Sequence, residues 1–149
     1  MSCIVCATRS GEGSRAVQLQ AIRRSRDLGK RLIFLYVMDP HTVGKFDGKL
    51  LPAVKAELEW MGSTLLRIAQ QRAQLLGLDT EIVIRHGDVR QEIGRFLSES
   101  QAELLLLGAP RGTSANVFGD DAVEQFAIAI QEKTHVPVEV VRPEAVANE

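Results

Sequence analysis

The sequence predicts an α/β domain built on a five-stranded, doubly wound parallel sheet with helices on both faces. Its 149 residues suit one ordinary domain, and 45% hydrophobic with 25% charged residues is the composition of a folded globular chain. Five short apolar runs alternate with four segments of helical periodicity. Alternation with short connections favours right-handed crossovers between parallel strands. We therefore expect a single domain over residues 1–149.

The five predicted strands are mostly continuous apolar runs, which is typical of parallel strands covered on both faces. The third run is the most polar at its ends, so we expect it at an edge of the sheet. The strands are predicted at Cys3–Ala7, Leu32–Met38, Thr80–Arg85, Leu104–Leu107 and Val136–Val141.

The first predicted helix runs from Ser14, in the N-cap position, to Gly29, which follows its end. Its apolar stripe is Val17, Ala21 and Leu28.

The second predicted helix is the longest, with Pro52 in its first turn and Gly77 beyond its end. Gly62 inside it costs roughly 1 kcal/mol against alanine, and nothing in the sequence accounts for it. The residues at helical spacing, which we expect to face the core, are Leu51, Val54, Leu58, Met61, Leu65, Ile68 and Leu75.

Two shorter helices follow, and each opens with the pattern of a capping box. Asp88 precedes Gln91 by three residues, and Asp121 precedes Glu124 in the same way. Their expected core residues are Ile93, Phe96 and Leu97 in the third helix, and Val123, Phe126, Ala127 and Ile130 in the fourth.

The loop after the first strand is one candidate ligand site, because doubly wound sheets bind ligands beyond the carboxyl ends of their strands. It contains Gly11 and Gly13 and leads into a helix at Ser14. Glycines allow close approach to a ligand, and a helix N-terminus favours an anion such as phosphate. The alternative is a turn in which the serine only caps the helix. Asp39 offers an acid after the second strand, but Glu12 within the loop argues against a dinucleotide fingerprint.

The loop after the fourth strand is the second candidate, since Gly108 and Gly112 with Arg111 between them resemble a phosphate cradle. Arg111 is the main phosphate-binding candidate, or else a solvated loop residue. The acidic residues that follow, Asp120, Asp121 and Glu124, either cap the next helix or hold a Mg²⁺ beside phosphate.

The charge balance argues against a nucleic-acid or membrane partner. There are 18 basic and 19 acidic residues, so the net charge is −1. The basic first helix lacks the aromatic residues that stack on bases. No apolar run approaches the ~20 residues of a membrane span, and the N-terminus lacks the basic region of a signal peptide. We expect a cytoplasmic protein.

The two cysteines, Cys3 and Cys6, have the C-x-x-C spacing of redox motifs but lie inside a predicted strand. Side chains three residues apart on a strand point to opposite faces, so we expect two buried, reduced thiols.

The three histidines, His41, His86 and His135, show no metal-ligand spacing. No nucleophile elbow or Ser/His/Asp spacing indicates an enzyme.

The chain as a whole resembles the universal stress protein family. The resemblance lies in C-I-V-C-A-T-R-S-G-E-G-S-R-A, L-I-F-L-Y-V-M-D, R-H-G-D-V-R-Q-E-I, L-L-L-L-G-A-P-R-G and the closing V-P-V-E-V-V. It implies the adenine-nucleotide alpha hydrolase-like form of the fold, a homodimer, and membership of either an ATP-binding or a non-binding group.

The family's ATP signature, G-x2-G-x9-G-[S/T], is degraded here. Gly108 matches its first glycine, but Arg111 stands at the second position and Gly112 comes one residue late. Counted from Gly112, the position of the third glycine is occupied by Ala122. In the first loop, the position of the family's acidic residue after the first strand is occupied by Thr8.

From the resemblance we expect a stress-response module with at most weak binding of ATP or AMP. The nucleotide-binding residues would be Thr8 and Asp39 near the adenosine, and Gly11, Gly13, Ser14, Gly108, Arg111 and Gly112 around the phosphates. The alternatives are a nucleotide-free dimeric interaction module with an unidentified protein partner, or an ATP-cleaving or electron-carrier enzyme. The dimer would pair the Val136–Val141 strand with its copy.

Overall fold

The computed structural model describes residues 2–8, 14–109 and 122–143, and these form one parallel sheet with helices packed on both faces. The strands are β1 (Cys3–Ala7), β2 (Arg31–Met38), β3 (Glu81–His86), β4 (Ala102–Gly108) and β5 (Val138–Val141). The helices are α1 (Ser14–Leu28), α2 (Leu51–Leu75), α3 (Val89–Ser100) and α4 (Ala122–Thr134), with short 3₁₀ turns at Pro40–Val43 and Gly48–Leu50.

The sheet has the predicted doubly wound topology. All pairings are parallel, in the order β3-β2-β1-β4-β5. Strand order therefore reverses at β1, which lies between β2 and β4. The prediction that the third strand lies at an edge is confirmed.

The predicted strand limits need small corrections. β5 begins at Val138 rather than Val136, because Pro137 has no N–H to donate and instead its carbonyl accepts from the Leu105 N–H at 3.0 Å. β3 is shifted by one residue, to Glu81–His86. β4 is longer than predicted, because Ala102 already pairs with Cys3.

Two apolar layers cover the sheet. Ile4 and Cys6 face the α1–α2 side, whereas Cys3 and Val5 face the α3–α4 side. The alternation of side chains along β1 thus places the two thiols in different cores, as predicted. In α3, Asp88 is the N-cap and accepts the backbone N–H of Gln91 at 3.0 Å, which confirms that helix start. The predicted start at Asp121 lies outside the described residues.

Three residues predicted to face the core are instead exposed: Leu28 in α1, and Ile68 and Leu75 in α2. The buried stripe of α2 is Leu58, Gly62, Leu66, Ala69 and Ala73. In α2, apolar residues occur on every side of the helix, so the spacing of hydrophobic residues does not identify the buried side. Among the described helices, none combines the length and apolarity that crossing a bilayer requires.

Candidate functional site

The candidate site lies where β1 and β4 end side by side. Ala7 pairs with Leu107, so the next residues, Thr8 and Gly108, open the two ligand-loop candidates next to each other. α1 begins at Ser14 and presents its N-terminus after the first of these loops. Topology therefore brings both predicted loops to the point where strand order reverses, which is where such sheets bind ligands. Predicted residues Gly11, Gly13, Arg111 and Gly112 lie outside the described residues.

Thr8 joins the end of β1 to β2. Its backbone N–H and its hydroxyl both donate to the Leu35 carbonyl oxygen, at 2.7 and 3.0 Å. The side chain is buried. Because the Thr8 hydroxyl donates its only proton to Leu35, it can offer a ligand only a neutral oxygen that accepts a hydrogen bond.

Asp39 is buried where β2 ends, and its carboxylate already holds two segments of the chain. Oδ1 accepts the backbone N–H of His41 at 3.0 Å and lies 3.0 Å from its Nδ1, while Oδ2 accepts the N–H of Val89 at 3.1 Å. Burial alone would raise the pKa of Asp39, but these hydrogen bonds and the nearby imidazole together hold its pKa below the usual value. Asp39 therefore ties the β2 end to the first turn of α3.

A polar relay connects α2 to the N-terminus of α1. The buried Gln18 donates to Ser14 Oγ at 3.2 Å and accepts from Arg72 Nη1 at 2.5 Å. Burial, together with the neighbouring Arg15, lowers the pKa of Arg72. Arg15 and Arg72 thus bring two positive side chains close together at this corner of the site.

A groove of about 600 Å³ lies near the ends of β2 and β3, under the first turns of α2. Its lining is mainly apolar, with Met38, Pro40, Phe46 and Leu51, and carries the charged Lys55 and Glu59. Its described lining includes His41, which is bonded to Asp39, but neither Thr8 nor Gly108.

The acidic cluster predicted beside the phosphates is described only at Glu124. This residue, in the first turn of α4, forms an ion pair with Arg142 at 2.9 Å. Asp120 and Asp121 lie outside the described residues. Within the described part of the chain, no group of three or more His, Cys, Asp or Glu side chains is arranged to hold a metal ion.

The thiols have a structural role. Both Cys3 and Cys6 are free and fully buried, as predicted. Burial raises the pKa of Cys6 far above its usual range, which suppresses the reactive thiolate. Cys3 donates a weak hydrogen bond to the Ser100 carbonyl at 3.5 Å.

Comparison with known proteins supports this architecture. The model of the Universal stress protein family matches residues 1–142. The chain is similar to the solved structure of universal stress protein UspA from Lactobacillus plantarum, at 18% identity and a TM-score of 0.73, with 95% of this chain and 97% of that chain covered. No curated protein sequence matches significantly.

Two further similar structures contain nucleotides. A universal stress protein family protein from Arabidopsis thaliana with AMP bound is 15% identical, with a TM-score of 0.67 over 100% of this chain and 96% of that chain. The universal stress protein from Archaeoglobus fulgidus in complex with dAMP is 17% identical, with a TM-score of 0.61 over 95% and 98%. At these identities the likeness establishes the fold.

Proposed function

The chain belongs to the universal stress protein family, and we propose that it is a stress-response module with a weak adenine-nucleotide site where β1 and β4 end. The observation that carries the proposal is the pairing of Ala7 with Leu107, which starts both glycine loops side by side. Nucleotides in structures of the same fold, AMP in one and dAMP in another, support the ligand class. The proposed setting is the cytosol, and the proposal assigns no catalytic residue.

The phosphates would lie against the N-terminus of α1. Ser14 begins this helix of 15 residues, whose free N–H groups and dipole favour an anion. The positive Arg72 lies nearby, because it donates to Gln18, whose amide in turn donates to the Ser14 hydroxyl at 3.2 Å. The phosphate cradle would be completed by residues assigned from the sequence: Gly11, Gly13, Gly108, Arg111 and Gly112. The uncharged adenine base and ribose would lie near Thr8 and Asp39.

The site would be weak because its polar groups are few and partly engaged. Thr8 supplies no carboxylate, and both oxygens of Asp39 accept hydrogen bonds from the protein. Each lost ligand hydrogen bond costs roughly 0.5–1.5 kcal/mol, or 1.5–3 kcal/mol where phosphate is charged. Two or three losses amount to about 3–5 kcal/mol, so a micromolar site would become about millimolar.

Calorimetric titration with ATP, AMP and adenosine tests this proposal. We expect a Kd of about a millimolar for the nucleotides. Arg72→Gln should weaken ATP about fivefold, the effect of losing roughly 1 kcal/mol of attraction, and leave adenosine unchanged. Arg67→Gln, an exposed arginine on the same helix, is the matched control and should leave both unchanged.

Two results would contradict the proposal. A Kd of about 10 μM or tighter would show that the degraded signature still forms a strong site. Absence of heat with any adenine nucleotide at several times the expected Kd would remove the nucleotide role.

The second candidate is a nucleotide-free dimeric interaction module, favoured by the position of β5 at the edge of the sheet. β5 pairs with β4 on one side. On the other side the Val138 N–H donates to Gln131 Oε1 at 3.1 Å, and the remaining outward N–H and C=O groups are those that a second strand would meet. Two copies would pair through this strand, and Pro137 beside it is tolerated at an edge. Sedimentation should show a dimer at micromolar concentration that Val140→Lys disrupts. A monomer unaffected by that substitution would contradict this dimer.

A further inference from the structure

The side of α2 that faces away from the sheet carries an exposed ridge centred on Thr64. We define the outer ridge as Thr64 with three residues on each side: Trp60, Glu57 and Ala53 before it, and Ile68, Gln71 and Leu75 after it. All of these are exposed except Thr64, which is half-buried. The exposed fractions reach 66% for Trp60 and 80% for Leu75. Large apolar residues left in water mark a contact surface when they lie on one stripe.

The outer ridge is symmetric about Thr64 in both spacing and chemistry. Its members lie four, seven and eleven residues from Thr64 in each direction. Apolar Trp60 mirrors apolar Ile68, polar Glu57 mirrors polar Gln71, and Ala53 mirrors Leu75. Such a pattern is self-complementary when two copies of the helix run antiparallel, because each position then meets its mirror position on the other copy.

The charges of α2 favour the same arrangement. Of the exposed charged residues of α2, Lys55, Glu57 and Glu59 precede Thr64 and Arg67 follows it, so the first half of the helix is net acidic and the second half is basic. Antiparallel pairing sets the acidic half of each helix against the basic half of the other, and parallel pairing would set like charges together.

We propose that the outer ridge binds a second copy of this chain, with α2 antiparallel to α2 and a two-fold axis at Thr64. Ridge packing of this kind needs side chains that are not already engaged. Among the described residues, Glu57, Arg67 and Gln71 form no side-chain hydrogen bond or ion pair. Trp60 and Ile68 would supply the apolar centre, and burying both on each copy gives the largest gain.

This surface is distinct from the β5 edge. α2 packs on β2 and β3, at the opposite end of the sheet from β5. The two modes of self-association can therefore coexist and must be separated in any test. Val140→Lys is designed to block pairing through β5, and Val140 packs on the α3–α4 side of the sheet, away from α2, so this variant is the background for the experiment.

The test is disulfide crosslinking at the two-fold axis. In the Val140→Lys chain, Thr64→Cys would face its own copy and should form a covalent dimer at least tenfold faster under mild oxidation than Ser98→Cys. Ser98 is an exposed position on α3, on the other face of the sheet. The native thiols do not interfere, because Cys3 and Cys6 are fully buried.

The register is tested by mixing two variant chains. Trp60→Cys mixed with Ile68→Cys should give mostly the mixed dimer, because these positions meet across the axis. In sedimentation, Trp60→Glu should weaken self-association of the Val140→Lys chain at least tenfold. Equal crosslinking of Thr64→Cys and Ser98→Cys, or no preference for the mixed dimer, would overturn the proposal.

Discussion

The inner and outer faces of α2 differ in the size of their side chains. The inner face buries Gly62, Ala69 and Ala73, together with two leucines, in the core that α2 shares with the sheet and α1, whereas the outer face exposes Trp60 and Leu75. A Cβ added to Gly62 would lie 2.3 Å from Cδ2 of Tyr36 on β2, so helix and sheet are in direct contact there. Where the helix lies this close to the sheet, only small side chains fit between them. The large apolar side chains therefore lie on the exposed face, even though transfer from water would favour their burial.

The strongest test of this difference uses the same substitution on each face. Leu66 is 1% exposed on the inner face, and Leu75 is 80% exposed on the outer face. Leu66→Ala should lower the free energy of unfolding by about 2–5 kcal/mol, because it removes buried methyl groups and leaves a cavity. Leu75→Ala should change it by no more than about 0.5 kcal/mol.

Urea denaturation at low protein concentration measures both values, since dilution keeps any self-association out of the comparison. Equal losses for the two leucines would mean that Leu75 is buried in the folded chain, and the assignment of the two faces would then be wrong.

The second test concerns the contact between Gly62 and Tyr36. Gly62→Ala gains helix propensity worth up to about 1 kcal/mol, but the new methyl group clashes with the Tyr36 ring, and overpacking of this kind costs about 1–3 kcal/mol. We expect net destabilisation of up to about 2 kcal/mol by urea denaturation. Thr64→Ala, two residues away on the outer face, is the control and should be nearly neutral.

A double variant identifies the cause. If the Tyr36 ring produces the clash, Gly62→Ala should cost much less in a Tyr36→Val background than in the native chain, since neighbouring effects are non-additive. Stabilisation of the native chain by Gly62→Ala would show that helix propensity prevails and that the sheet yields at this point.

Sequence patterns predicted the strands and the sheet better than they predicted which side of each helix is buried. Continuous apolar runs and their alternation with helices predicted all five strands, the parallel sheet and its edge at β3, because burial on both faces leaves a direct mark on composition. The same reasoning placed Ile68 and Leu75 in the core. Periodicity weighs hydrophobicity but not the distance between helix and sheet, and the role of Gly62 depends on Tyr36, a residue of another element.

The candidate site was predictable only in part, because its bonds join distant segments. Topology rules predicted that the loops after Thr8 and Gly108 start together, as the pairing of β1 with β4 shows. Arg72 was missed, since its link to Gln18 spans 54 residues of sequence. The hydrogen bond from Val89 to Asp39 spans 50 residues and leaves no local signal.

The smallest expected effect separates two adjacent glutamines of α2. Gln70 Nε2 donates to the Thr80 carbonyl at 3.1 Å and so ties the helix to the segment before β3, while Gln71 is exposed on the outer ridge. Gln70→Ala should lower the free energy of unfolding by about 0.5–1.5 kcal/mol, the net value of one hydrogen bond. Both substitutions gain the same helix propensity, so the difference between Gln70→Ala and Gln71→Ala in urea denaturation isolates the bond to Thr80. A difference near zero would show that water replaces the lost donor, and that this part of the inner face is as open to solvent as the outer ridge.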